Sequence, residues 1–212
     1  QIADGFIGLA GAGEDASRIY FASSKVLTAG ENSHGDKAQA SKPNLYLYEA
    51  GKGFEFIGTL ASADVSGFGN PVEDTPGARL SRVNESGRQL AFMSHASLTG
   101  YDNTDAATGE PDMEVFLYDA MADEGAGLLL CPSCNPSNAR PEGRLLTQKF
   151  LTARRAAARI PTYISHLYGQ RVISDDGSRL YFDSFEGLVA TDTNGQEDVY
   201  QWEAPGKGSC TP

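Results

Sequence analysis

The stretch that decides the fold is SDDGSRLYFDS, Ser174–Ser184, because the chain contains three versions of it. The earlier versions are GEDASRIYFAS at 13–23 and NESGRQLAFMS at 84–94. Each begins with an acidic or Gly-containing turn and continues as a run in which large apolar side chains recur at every second position. That alternation is typical of a half-buried β-strand. Three copies of one phrase predict a repeat architecture.

A second phrase follows each copy of the first. Its three versions are NLYLYE at 44–49, EVFLYD at 114–119 and DVYQWE at 198–203. Apolar runs at 54–60 and 127–131 predict a third strand, and the residues before the turn, at 79–83 and 170–174, predict a fourth. Four short antiparallel strands per unit are typical of a propeller blade. The predicted fold is therefore all-β, with four-stranded antiparallel blades.

The spacing of the copies defines the predicted boundaries. Phe21, Phe92 and Phe182 are equivalent and lie 71 and 90 residues apart, so the loops differ in length. We predict blades at 6–62, 78–135 and 170–212, with a basic insertion at 136–169. Helix-forming residues within the insertion predict one helix that ends at Pro161; they are Leu145, Leu146, Lys149, Phe150, Arg154 and the alanines 156–158.

The repeat resembles that of TolB-type, WD-like β-propeller proteins. Its amino-acid pattern is also similar to that of large secreted bacterial propellers of unassigned function. The residues that carry the resemblance are those of the third copy, Ser174, Asp176, Gly177, Phe182, Ser184, Asp198 and Tyr200. The first copy departs from the pattern because Ala16 stands at the turn Gly position, so its turn is expected to differ. The resemblance implies the fold; propellers serve binding, scaffolding and enzymatic roles alike.

About three blades are fewer than the about four to eight of a propeller ring. We therefore expect the chain to be part of a larger ring, with the other blades supplied by the parent chain or by self-association. Because the chain starts at Gln1 and not at Met, we expect that a leader or an upstream region was removed.

The net charge of −11 argues against nucleic acid as a partner, because a phosphate backbone requires a basic surface. No apolar run reaches the roughly 20 residues that cross a bilayer, so membrane insertion is not expected. The segment 140–159 is the exception in charge, at +5 against −16 for the remainder. Two interpretations are a docking site for an acidic partner and a segment that neutralises an acidic body, and the second is preferred.

The spacing of Cys131 and Cys134 allows a redox dithiol, half of a zinc site or a small structural disulfide. A zinc site needs a second pair of ligands, and a redox motif of the thioredoxin kind needs a helix start. We predict the disulfide, and hence an oxidising compartment and a secreted or cell-surface location. Cys210 is then left over, and its partner is expected beyond Pro212.

The loop at 192–198 places oxygen side chains around Gly195, as calcium loops do. Asp192, Asn194 and Asp198 are the candidate calcium ligands, and the alternative is a turn stabilised by Asx side chains without metal. No catalytic or organic-cofactor residues are assigned. Ser94-His95 and Ser165-His166 are neighbours in sequence, but adjacency is not the geometry of a catalytic triad.

Two functions from different classes follow. The preferred one is a non-catalytic extracellular propeller module that binds a protein or a glycan, or serves as a surface or assembly scaffold. The alternative is the propeller portion of a hydrolase, either a glycosidase ring or a gating domain. Convergent carboxylates in a pocket would favour the enzyme, and an exposed apolar or basic patch would favour binding.

Overall fold

The computed structural model describes residues 3–68, 79–146, 154–161 and 171–209. In these residues the chain is predominantly β-structure, arranged as four antiparallel sheets and two short 3-10 helices, Ser62–Phe68 and Asp123–Gly125. The prediction of an all-β fold is confirmed. The sheets do not form a closed ring within the described residues.

Two of the sheets have four strands in sequential order, as the repeated phrases predict. The first unit consists of β1 (Phe6–Ala12), β2 (Arg18–Ser23), β3 (Asn44–Glu49) and β4 (Gly53–Thr59). The second unit consists of β5 (Ser81–Val83), β6 (Gln89–Ser94), β7 (Glu114–Asp119) and β8 (Leu128–Leu130). β6 is buried along its whole length and β7 over its first five residues, so both faces of these strands are covered.

The third unit has three strands: β11 (Ala158–Arg159), β12 (Arg179–Ser184) and β13 (Asp198–Glu203). Two separate segments of the chain lie along the edge of β12 that does not pair with β13. β11 pairs with the end of β12, and the fourth-strand prediction at 170–174 is confirmed only in part, by a single bridge from Ile173 to Leu180. In the other two units a single strand, β1 or β5, occupies this edge.

The two repeated phrases pair in the same register in all three units. Phe21 lies opposite Tyr46, and the equivalent pairs are Phe92 with Phe116 and Phe182 with Tyr200. The ring centroids are 6.0, 5.5 and 5.9 Å apart, respectively. A shift of one residue would send every side chain to the other face, so identical register means identical faces in the three units.

The turn that opens each repeat also has the same hydrogen bonds. The N–H groups of Ala16, Gly87 and Gly177 each donate to the carbonyl three residues earlier, at 3.0, 3.0 and 2.9 Å. Their φ angles are +54°, +69° and +70°. The expectation of a different first turn is therefore wrong: Ala16 adopts the left-handed conformation, which costs a residue with a Cβ about 1 kcal/mol.

The predicted helix is wrong for the described part of the insertion, which contains strands. β9 (Arg144–Leu146) and β10 (Arg154–Ala156) form an antiparallel pair, and β11 joins the third unit. Met113 of the second unit exchanges backbone hydrogen bonds with residues 155 and 157. Burial of the three alanines at 156–158, all 0% exposed, against neighbouring strands outweighs their helix propensity. Residues 147–153 and 162–169 lie outside the described residues.

One hydrophobic core runs through all three units, and a smaller aromatic core lies on the outer side of the first unit. Hydrogen bonds connect successive units at the turns. The Tyr20 hydroxyl donates to the Gly87 carbonyl at 2.7 Å, and the Gln89 amide donates to the Gly177 carbonyl at 3.0 Å. Among the described residues, no helix has the length and apolar character to cross a membrane.

Candidate functional site

Each unit has two faces. The back face is the one that carries Leu45, Val115 or Val199, and in the first two units it lies toward the next unit in sequence. This face is covered in the first two units and uncovered in the third. Leu45 and Val115 occupy equivalent positions and are both 0% exposed, whereas their counterpart Val199 is 71% exposed. Tyr20 is 0% exposed and its counterpart Tyr181 is 41% exposed. The third unit thus presents to solvent a surface that the repeat buries elsewhere.

The front face of the first unit is the second uncovered surface. Phe21, Tyr46 and Phe56 form the small aromatic core there, separate from the main core. Phe6 stacks on Phe21 with ring centroids 6.5 Å apart and remains 62% exposed. In the second unit the equivalent Phe92 belongs to the main core, against the first unit. The chain therefore has an open front face at one end and an open back face at the other.

A cleft of about 680 Å³ lies between the second and third units. Its lining includes Arg140, Arg144, Arg155, Phe185 and Glu186. The guanidinium of Arg144 lies 5.1 Å from the centre of the Phe185 ring, a favourable cation–π distance. The lining balances three arginines against three acids and adds the half-buried Phe185 ring, which suits a polar ligand; the acids are Asp105, Glu142 and Glu186.

Arg155 ties two buried carboxylates together at the wall of the cleft. Its Nε lies 3.0 Å from Asp112 Oδ1, and its Nη2 contacts Asp105. Burial opposes ionisation of Asp105, but hydrogen bonds from Thr108 and Arg155 outweigh it and hold the pKa of Asp105 well below its usual range. Burial dominates at Asp112 and raises its pKa to about 6, although Arg155 acts in the opposite direction.

The arginines of the basic segment pair mainly with acids of the body. Arg155 bonds Asp105 and Asp112, and Arg159 lies 2.6 Å from Glu197. These pairs support the interpretation that the segment neutralises an acidic body.

Cys131 and Cys134 form a disulfide, as predicted. Sequence reasoning missed its neighbour: a carboxylate oxygen of Glu114 and the two sulfur atoms lie within 4.8 Å of one another. Glu114 is 0% exposed, and burial raises its pKa to about 8, although a hydrogen bond from Ser133 acts against this. Because both sulfur atoms are bonded to each other and neither is a thiolate, Glu114, Cys131 and Cys134 do not form a metal site.

The register of β7 and β8 explains why Ser133 bonds Glu114. β7 and β8 pair with Leu117 opposite Leu130, and extending that register places Ser133 opposite Glu114. The Ser133 hydroxyl indeed donates to Glu114 Oε2 at 2.5 Å and accepts the Val115 N–H at 2.8 Å.

Two of the three candidate calcium ligands, Asp192 and Asn194, lie in one loop, and the third, Asp198, begins β13; all three bond to protein groups. The Asn194 side-chain amide donates to Asp198 Oδ2 at 2.7 Å, and Asp192 accepts the hydroxyl hydrogen bond of Tyr200. Calcium binding at this loop stays a prediction. A rise in melting temperature on adding Ca²⁺, absent in the variant Asp192→Asn, is the expected result; an unchanged melting temperature would contradict it.

Ser94 and His95 belong to a structural network around Asp64, a residue that the sequence did not single out. Asp64 accepts hydrogen bonds from the Ser94 hydroxyl at 2.6 Å and from the Ala61 N–H at 3.0 Å, and it lies 2.6 Å from His95 Nδ1. Ser94 thus bonds the acid and not the His, which is not triad geometry. His166 and Cys210 lie outside the described residues.

Neither the protein-family models nor the curated proteins nor the solved structures include a match to this chain.

Proposed function

We propose that the chain is a segment of a TolB-type, WD-like β-propeller that acts as a non-catalytic extracellular assembly module. The observation that carries this proposal is the change at one repeat position from fully buried in Leu45 and Val115 to 71% exposed in Val199. Inside the chain, each such back face packs against the front face of the next unit. Tyr20 and Gln89, on two successive back faces, donate hydrogen bonds to the carbonyl of the turn glycine in the next unit.

The partner that fits the open back face is a second copy of this chain, docking through the front face of its first unit. That front face carries the aromatic residues that cover a back face within the chain, and Phe6 leaves it partly open to solvent. Two copies joined head to tail at both ends would supply six units, within the range of about four to eight blades. Closure would also cover the exposed sheet faces, which are otherwise an aggregation liability.

The cleft between the second and third units is the proposed place for a protein or glycan ligand. Arg144 and Phe185 would provide the charge and the stacking surface. The hydrolase alternative draws on Asp105 and Asp112, whose pKa values are displaced in opposite directions. Both carboxylates are buried and bonded to Arg155, so neither is free to contact a substrate, and binding is the better-supported function.

The Cys131–Cys134 disulfide supports an oxidising, extracellular location.

The test is the native mass of the wild-type chain, measured by analytical ultracentrifugation across a wide concentration range without reductant. We expect a mass that rises to that of a dimer, and a monomer in the variant Val199→Asp, because a charge cannot be buried without a partner. Val189→Asp changes another exposed valine of the same unit, 51% exposed and outside the strands, and is the matched control. A wild type that stays monomeric, or a Val199→Asp variant that dimerises as the wild type does, would refute the self-association.

A further inference from the structure

Glu114 has a buried oxygen without a hydrogen-bond partner. Its Oε1 accepts no hydrogen bond from the described residues. A buried polar atom left unpaired is destabilising, so its presence in a native structure calls for a specific explanation such as a bound proton or a reaction.

The other oxygen of Glu114 is held by Ser133. Glu114 Oε2 lies 2.5 Å from Ser133 Oγ, which also accepts the Val115 N–H at 2.8 Å. Oε1 is the oxygen without a hydrogen-bond partner among the described residues, and a carboxylate oxygen of Glu114 lies within 4.8 Å of both sulfur atoms of the disulfide.

The surroundings favour the neutral form. The titratable groups that act on Glu114 are Asp112 and Glu186, both acidic, and Glu114 in turn acts on Tyr101. Burial and these negative neighbours raise the pKa of Glu114 to about 8. The result is a protonated carboxyl group beside the disulfide at neutral pH.

The disulfide itself is within reach of solvent. Cys131 and Cys134 are both half-buried, at the end of β8, while Glu114 lies fully buried behind them on β7. A thiol can therefore approach the sulfur atoms from outside while the acid acts from inside.

We propose that Cys131–Cys134 is a thiol–disulfide exchange site, in which the Glu114 carboxyl group donates a proton to the first cysteine sulfur to leave. The co-substrate is a dithiol reductant.

In the first step, a thiolate of the dithiol attacks one cysteine sulfur, the disulfide bond breaks, and a mixed disulfide forms. The electron pair passes to the other cysteine sulfur, which takes the proton of Glu114. The second thiol of the dithiol returns a proton to Glu114 and then attacks the mixed disulfide, which releases the second cysteine as a thiolate that is protonated by water. The dithiol is oxidised to a disulfide and the cysteine pair is reduced.

The experiment measures the rate of reduction of the folded chain by dithiothreitol as a function of pH, with thiol labelling as the readout. Each rate is divided by the concentration of the attacking thiolate, which removes the titration of the reagent. For the wild type we expect a constant value below about pH 8 that falls above it, as Glu114 loses its proton.

The variant Glu114→Gln keeps the shape and the hydrogen bond to Ser133 but cannot supply a proton. We expect its normalised rate at neutral pH to be about tenfold lower, without the fall above pH 8. Glu110→Gln makes the same side-chain substitution at an exposed residue of the loop before β7 and should retain the wild-type profile.

Equal rates and equal pH profiles for wild type and Glu114→Gln would overturn the proposal. So would a wild-type profile that stays flat through pH 8, a result that needs no variant and therefore does not depend on how the variant folds. The outcome is independent of self-association, because Val199 and the disulfide lie on different units.

Discussion

Replacement of Glu114 by Gln should change how stability depends on pH. The folded chain holds the Glu114 proton with a pKa of about 8, against the ordinary value of 4.5 that applies to the unfolded chain. Because the folded-state pKa is raised, the neutral form is favoured by folding. The stabilisation is complete below about pH 4.5 and is lost as pH rises through about 8.

The magnitude follows from the size of the shift. Each unit of pKa difference corresponds to about 1.4 kcal/mol, so the wild type should lose about 3 to 5 kcal/mol of unfolding free energy through Glu114 between those pH values. Gln does not titrate. The difference in unfolding free energy between Glu114→Gln and wild type should therefore move in favour of the variant by this amount as pH rises.

The assay is urea unfolding of both proteins at a series of pH values, with the disulfide kept oxidised. Midpoints and slopes give the unfolding free energies, and only the difference between the two proteins is interpreted, which removes the contribution of the other titrating groups. Glu110→Gln, at an exposed residue, should give a difference from wild type that does not vary with pH. If the difference for Glu114→Gln is also constant, the burial argument for Glu114 fails.

Two further changes test the packing between units. Arg155→Met should cost about 3 to 5 kcal/mol of unfolding free energy at neutral pH, because the buried carboxylates of Asp105 and Asp112 lose their shared cation. The cost should shrink in acid. A loss below about 1 kcal/mol in urea unfolding would contradict the role of this ion pair. Gly177→Ala should destabilise the chain by about 1 to 2 kcal/mol more than Gly195→Ala. Both glycines have positive φ, but only at Gly177 would an added Cβ clash with a neighbouring unit, at the Gln89 side-chain amide. Equal melting temperatures of the two variants would argue against that contact.

The strands of the repeat were predictable because their signal is local. Alternation of apolar residues in Arg179–Ser184 and Asp198–Glu203 reflects a sheet with a buried side, and the turn between strands follows from the small set of residues that favour it. The strands at 18–23, 44–49, 89–94 and 114–119 were found for the same reason. The close spacing of Cys131 and Cys134 similarly made their disulfide predictable.

The insertion was mispredicted because its conformation depends on distant residues. The alanines at 156–158 favour a helix in isolation, but Met113 offers backbone hydrogen bonds and a buried position beside the second unit. Satisfying backbone groups across units and burying apolar surface is worth more than the few tenths of a kcal/mol per residue of helix propensity.

The sequence by itself determined the repeat and, in each unit, the two strands that carry the repeated phrases, since these depend on side-chain alternation and on turn residues within a few positions. Only the tertiary structure decided which face of the third unit is uncovered and which acid lies beside the disulfide. Val199 follows the same pattern as the buried Leu45, and nothing local distinguishes them. Whether a β-strand face is buried depends on the sheet packed against it, and the environment of Glu114 depends on strand pairing and burial, neither of which is encoded in neighbouring residues alone.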